Sequence, residues 1–217
     1  AIMRPLFIVP AIPRQRPRGK GAAMNTPAHL IMGAAAFGKP DAKTVTWCAI
    51  IGGFLPDLSL YLMTGVSVFL LGISPHRVFD ELYYSDAWQQ VFAIDNSFIL
   101  WGGALALAMW QRIAWLVAIC GAAFLHLLFD FPLHNHDARM HFWPLTDWKF
   151  LSPVSYWDPS HYGGIIGPLE GVFCLGLLVV LWRRFHGTIA RVLVVLAGLL
   201  ECVPALVFPI LFGGPGG

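Results

Sequence analysis

Charge is scarce in this sequence. Only 12% of its 217 residues are Asp, Glu, Lys or Arg, against 57% that are hydrophobic, and the mean hydropathy is +0.66. That balance lies well outside the composition of a soluble domain and places the chain in a membrane. The formal net charge of +2 is too small to point to nucleic acid, and the basic residues form no long patch beside stacking aromatics, which excludes that class of partner. Cysteine is equally sparse. Cys48, Cys120, Cys174 and Cys202 stand singly in apolar runs with no CxxC spacing, so they read as small buried hydrophobes. No internal repeat recurs at a fixed period, and no low-complexity tract occurs beyond the Gly/Pro tail.

What the chain does have is long apolar runs, and a helix needs about 20 residues to cross hydrocarbon. Residues 45–63, 97–110, 113–131, 164–182 and 189–212 qualify or nearly do, the last interrupted by Pro204 and Pro209. A shorter segment from His29 to Phe37 reads as a half-span or tilted helix. The expected fold is therefore an all-α, polytopic membrane bundle of about five membrane helices plus a short N-terminal helix.

Short loops rich in Lys and Arg tend to stay cytoplasmic. Simple alternation puts Lys39, Lys43, Arg112, Arg183, Arg184 and Arg191 on that side. The opposite side receives the long connections 64–96 and 132–163, with Arg77, Arg139 and Lys149 among many more acidic residues. It also receives Tyr83, Tyr84, Trp88, Trp143, Trp148, Tyr156, Trp157 and Tyr162, rings of the kind that sit at headgroup level. Arg4, Arg14, Arg16, Arg18 and Lys20 oppose this orientation, while "MNTPAHL" at Met24 reads like a natural start. Residues 1–23 are thus expected to be an upstream extension, and 24–217 a single membrane-embedded domain. The extension does not read as a signal peptide, because its basic cluster follows the short apolar stretch instead of preceding it.

The stretch "HLLFDFPLHNHDARMHFWP", residues 126–144, holds four of the eight histidines where a hydrophobic run ends. His126 and Asp130 are four apart and project from one helix face. Pro132 ends or kinks that helix, which places His134, His136, Asp137 and His141 on the bend or loop beyond. At 1.5 Å per residue, Asp57, His126, Asp130 and Glu170 all fall within roughly 9 Å of the outer ends of their runs, and His29 joins them if its helix descends from that side. Ionisable groups at such depth normally face one another, a cavity or an ion, so a single buried site is expected. Glu201 has no partner at its depth and reads as a structural hydrogen-bonding residue. His136, His141, His161 and His186 read as surface or interfacial.

"TPAHL" at 26–30, "LPDLS" at 55–59 and "HLLFD" at 126–130 resemble, in order and spacing over most of Met24 to Pro144, the bacterial family of inner-membrane-bound metal-dependent hydrolases. The His-x-x-x-Asp pair followed by a further histidine is also similar to the zinc-dependent phospholipase C and nuclease group. The resemblance implies a helical membrane protein with His29, Asp57, His126 and Asp130 as metal ligands. His134 joins them by its position after the pair, and His76 by its place in the family's middle motif. That motif departs here: residues 76–82 read "HRVFDEL", keeping His76 and Arg77 but lacking a second histidine, for which Asp80 offers an oxygen.

A divalent cation, zinc by ligand type, held by three or four His/Asp side chains leaves room for a water whose pKa falls toward ~7. Glu170 or Asp137 is then the expected base, and Arg77 or Arg139 the expected clamp for an anionic phosphate. A site one turn below the outer surface of a bacterial inner membrane meets lipid headgroups, which makes a phosphoester or lipid the expected substrate. The alternative is a non-enzymatic membrane subunit or assembly factor with a structural metal. A transporter is disfavoured, because the inner halves of the runs are almost purely apolar.

Overall fold

The computed structural model describes residues 26–156 and 158–212, with side chains through residue 203. The expected extension at 1–23 lies outside the described residues. Among those described there is no strand, and the chain is a helical bundle. Among the described residues nine α-helices carry it: α1 Thr26–Phe37, α2 Lys43–Phe54, α3 Leu58–Gly65, α4 Pro75–Arg77, α5 Asp86–Asp95, α6 Phe98–Trp110, α7 Ala114–Asp130, α8 Gly163–Arg184 and α9 Thr188–Phe212.

Four helical stretches are long and apolar enough to cross a membrane: Lys43–Leu70, Asp86–Trp110, Ala114–Leu133 and Gly163–Arg184. The expectation was about five; the fifth run is helical in α9, although the four are those that meet length and apolarity among the described residues. Phe69, Trp110, Val172 and Ile189 expose most of their surface, as lipid-facing side chains do. This is a membrane protein.

The first span is longer than expected, because α2 runs on through a 3₁₀ turn, α3 and a π-helical turn to Leu70. The 3₁₀ turn is Leu55–Asp57, and its cause is Pro56, which has no N–H to donate and whose ring clashes with the carbonyl four residues back. Asp57 is re-aimed by that turn and lies 1% exposed. Pro132 has the same effect at the end of α7. A 3₁₀ turn at Phe131–Leu133 follows Asp130 directly, and His134 leaves in extended conformation (φ −119°, ψ 130°).

α1 is only 12 residues, about 18 Å, too short to span. It occupies the interior against α2, α7 and α8, packing Ala28, Ile31, Ala34 and Ala35 with Cys174 and Leu181. Arg184 Nη1 donates to the carbonyl of Ala35 at 2.6 Å, so the Phe37 end of α1 meets the basic end of α8 and the His29 end points to the opposite side of the bundle. That is the half-span the sequence suggests.

Small residues let these helices approach. A Cβ on Gly53 would stand 2.5 Å from the His29 carbonyl oxygen, and one on Gly52 2.2 Å from that of Ile119. Gly53→Ala is therefore expected to cost about 1–3 kcal/mol by overpacking. Gly103, whose added Cβ would meet nothing within 4 Å, serves as the control; Gly103→Ala should be neutral or stabilising by about 0.5–1 kcal/mol. Thermal unfolding of both variants in one detergent checks this. Equal midpoints would contradict the close α1–α2 contact.

Candidate metal centre

Four elements deliver one cluster. α1 carries His29, the Pro56 turn carries Asp57, α7 carries His126 and Asp130, and the extended residue after Pro132 is His134. All five are essentially fully buried. Asp130 is the hub. Its Oδ1 lies 2.9 Å from His29 Nε2, and its Oδ2 lies 3.1 Å from His126 Nε2 and 3.4 Å from His134 Nε2. Asp57 Oδ1 stands 3.8 Å from His126 Nε2, while its Oδ2 accepts a 2.6 Å hydrogen bond from the Thr26 hydroxyl, itself bonded by Tyr61. The rings of His29 and His126 stack with centroids 3.6 Å apart.

The other ring nitrogens fix the tautomers. His126 Nδ1 donates to the Gly53 carbonyl at 2.8 Å, and His134 Nδ1 donates to Asp137 Oδ2 at 2.5 Å. In the neutral rings, the Nε2 lone pairs are thereby turned toward a carboxylate that is itself only an acceptor. The His29 Nε2 and Asp130 Oδ1 contact is close in distance but lacks hydrogen-bonding angles, and neither atom has another partner among the described residues. Lone pairs pointed at one another in a buried pocket require a proton or a cation between them. Nδ1 bonds to a carbonyl or a carboxylate are also the kind of outer contact by which imidazoles in metal sites are oriented. His29, His126 and Asp130 each offer a ligand atom within 4.8 Å of the other two.

Asp137, an expected base, is engaged with His134 instead. Burial works against charge on His134, but the carboxylates of Asp137 and Asp130 outweigh it and hold its pKa up at about 10. Glu170, the other expected base, is half-buried on α8, with Oε1 lacking a partner among the described residues. Arg139 is buried, its guanidinium 4.0 Å above the Phe92 ring and 4.9 Å from that of Tyr83, with Nη1 unbonded among the described residues. His76, Arg77 and Asp80 are exposed, and Arg77 pairs with Glu81 at 3.0 Å. The structure does not bring these three into the buried cluster.

Several surroundings differ from the sequence reading. His141 is buried rather than interfacial: its Nδ1 donates to the Asn96 carbonyl at 2.9 Å, and burial pushes its pKa down to about 4. Nothing in local sequence marks it apart from its neighbours, because the contact spans 45 residues. Tyr83, Trp88 and Tyr156 are buried against the rest of the protein, whereas Tyr84, Trp148 and Tyr162 are exposed. Glu201 is not alone at its depth, since it hydrogen-bonds the Cys174 thiol and lies near Glu170. His136, His161 and His186 are exposed or half-exposed as expected. His136 and His161 flank Asp158, but that carboxylate is already used by Ser160 and His161 to cap the turn at Pro159.

The loop over the cluster is tied to the helix ends. Phe98 N–H donates to His141 O at 2.8 Å, Ser97 hydroxyl to Trp143 O, Tyr156 N–H to Leu133 O at 3.2 Å, and Ser152 hydroxyl to Pro132 O at 2.5 Å. Compared with protein families, with curated proteins and with solved structures, the chain matches none.

Ser152→Ala tests the tie across the Pro132 bend. Loss of this part-buried hydrogen bond is expected to cost about 0.5–1.5 kcal/mol. Hydrogen exchange of residues 131–135 should rise in that variant. Unchanged exchange would mean that the loop is held without Ser152.

Proposed function

We propose that this protein is a metal-dependent phosphoesterase of a bacterial inner membrane, with its centre one to two helical turns below the periplasmic surface. The observation that carries the reading is the convergence of three imidazole Nε2 atoms on the Asp130 carboxylate, at 2.9, 3.1 and 3.4 Å. The resemblance of "TPAHL", "LPDLS" and "HLLFD" to membrane-bound hydrolases supports three of these positions, His29, His126 and Asp130, and adds Asp57. The Lys/Arg bias of the opposite end supports the orientation.

In this reading His29, His126, Asp130 and His134 hold the ion, with Asp57 beside them and Asp137 and the Gly53 carbonyl holding two rings in place. A nitrogen-rich donor set with carboxylate suits zinc. A bound divalent cation would supply the charge that polarises a phosphoryl oxygen and acidifies water. Glu170 would be the carboxylate to accept a proton there, and Arg139 Nη1, unbonded among the described residues, would donate to an anionic oxygen. His76 and Arg77 stay at the surface and have no assigned part. The complete burial of the ligands favours one other reading, a closed structural metal in a non-enzymatic subunit.

Elemental analysis of the purified chain and two variants separates these roles. Asp130→Asn should lower metal affinity ~10-fold or more, by comparison with the loss of orienting partners. Glu170→Gln should retain the metal and slow phosphodiester turnover by about 10²-fold or more. A metal-free parent would end the proposal, and a loaded parent with no turnover of any phosphodiester would favour the structural metal. Orientation is checked by labelling introduced cysteines from outside: probes at residues 140–160 should react and those at 184–188 should not, and the reverse pattern would move the centre to the cytoplasmic face.

A further inference from the structure

Beside the His/Asp centre, α1, α7 and α8 leave a cavity of about 220 Å³. Its α8 wall is Ile166, Leu169, Glu170, Phe173 and Cys174, which is the i, i+3, i+4, i+7, i+8 stripe of one helix face. The opening therefore runs about two turns, ~12 Å, along the helix. Met32 of α1 with Phe129 and Leu133 at the end of α7 form the facing wall. Leu169 and Phe173 are exposed, so the slot opens sideways, onto the surface that these spans present to hydrocarbon.

The slot also reaches the centre. Tyr156 closes its loop end and stands edge-on to His134, with ring centroids 5.9 Å apart. Ala28, in the same lining, precedes His29. An apolar slot open to the bilayer has one abundant filler, because an empty one forfeits dispersion contacts that a hydrocarbon chain supplies. Its direction fits as well: it descends along α8 from the loop end, as the chains of a lipid in that leaflet do. The single carboxyl in the lining, Glu170, has an oxygen with no partner among the described residues, and it lies one turn below Ile166.

We propose that the slot between α7 and α8 takes one acyl chain of a bilayer phospholipid, admitted sideways, with the phosphoester end of that lipid at the His/Asp centre. The proposal rests on the phosphoesterase reading for what happens at the head end, and names the substrate of that site as a lipid presented from within the leaflet. Binding of the chain itself depends on the slot alone.

The test uses the full chain in phosphatidylethanolamine/phosphatidylglycerol vesicles doped with a phospholipid that carries a diazirine in the middle of one acyl chain. After irradiation, adducts are mapped by mass spectrometry and zinc is measured on the same sample. Adducts should be several-fold enriched at residues 129–133 and 166–174 over residues 192–200 of α9, which expose leucine and valine to the same lipid. Leu169→Trp, which fills the mouth, should bring the slot down to the α9 level while zinc content stays at the parent value; Ile166→Trp is the second filling variant should the first fail to fold. Even labelling of both regions in the parent, or undiminished slot labelling in folded filled variants, overturns the proposal. Selective slot labelling in a protein that binds no zinc would remove the phosphoesterase reading and leave the acyl slot standing; zinc-loaded protein with even labelling would do the opposite.

Discussion

The loop end of the bundle is organised around one carboxylate. Asp130 sits where almost no water reaches, and taking such a group out of water costs several kcal/mol unless positive charge and hydrogen bonds replace the lost solvation. Three imidazoles surround it, but the Gly53 carbonyl and Asp137 draw the Nδ1 protons of His126 and His134 away from it. Positive charge at the point where the donors converge then comes either from Nε2 protons, as the raised pKa of His134 provides, or from a cation that displaces them. A single divalent ion would meet that demand, to which the second carboxylate, Asp57, adds.

Helix packing and loop structure follow from this demand. His29 and His126 can stack only because α1 approaches α2 over Gly53, whose bare Cα admits the His29 carbonyl. The same glycine's carbonyl orients His126, so one position serves both the packing and the ring. Two prolines then do comparable work on different spans. Pro56 turns Asp57 inward, and Pro132 ends α7 so that His134 folds back to Asp130. The loop beyond, held by Ser97, Phe98 and Ser152, closes the cluster from above.

The spans and the cluster were legible in the sequence for a simple reason: both are local patterns. Apolar runs of membrane length, the i, i+4 pair of His126 and Asp130, and the coincidence of depth with Asp57 and His29 need no knowledge of tertiary contacts. The continuation of the first span to Leu70 was harder to see, because Thr64, Gly65 and Ser67 interrupt the apolar run just where the helix carries on through a π-helical turn. The burial of His141, Tyr83, Trp88 and Tyr156 was not visible in the sequence, since it comes from contacts across many residues, such as the bond of His141 to Asn96. Asp137 looked like a free base although His134 is only three residues away, because it is the folded bend that turns the two side chains together. Glu201 looked solitary because Cys174 lies on another helix.

The central claim is that the His/Asp cluster is a cation site, and its most direct test is X-ray absorption spectroscopy at the zinc edge of the purified, zinc-loaded chain. The account predicts a first shell of nitrogen and oxygen only, at about 2.0–2.2 Å, with outer-shell scattering from imidazole rings and no sulfur. A shell containing sulfur at about 2.3 Å, a spectrum of hydrated zinc without imidazole scattering, or a chain that retains no zinc would contradict it.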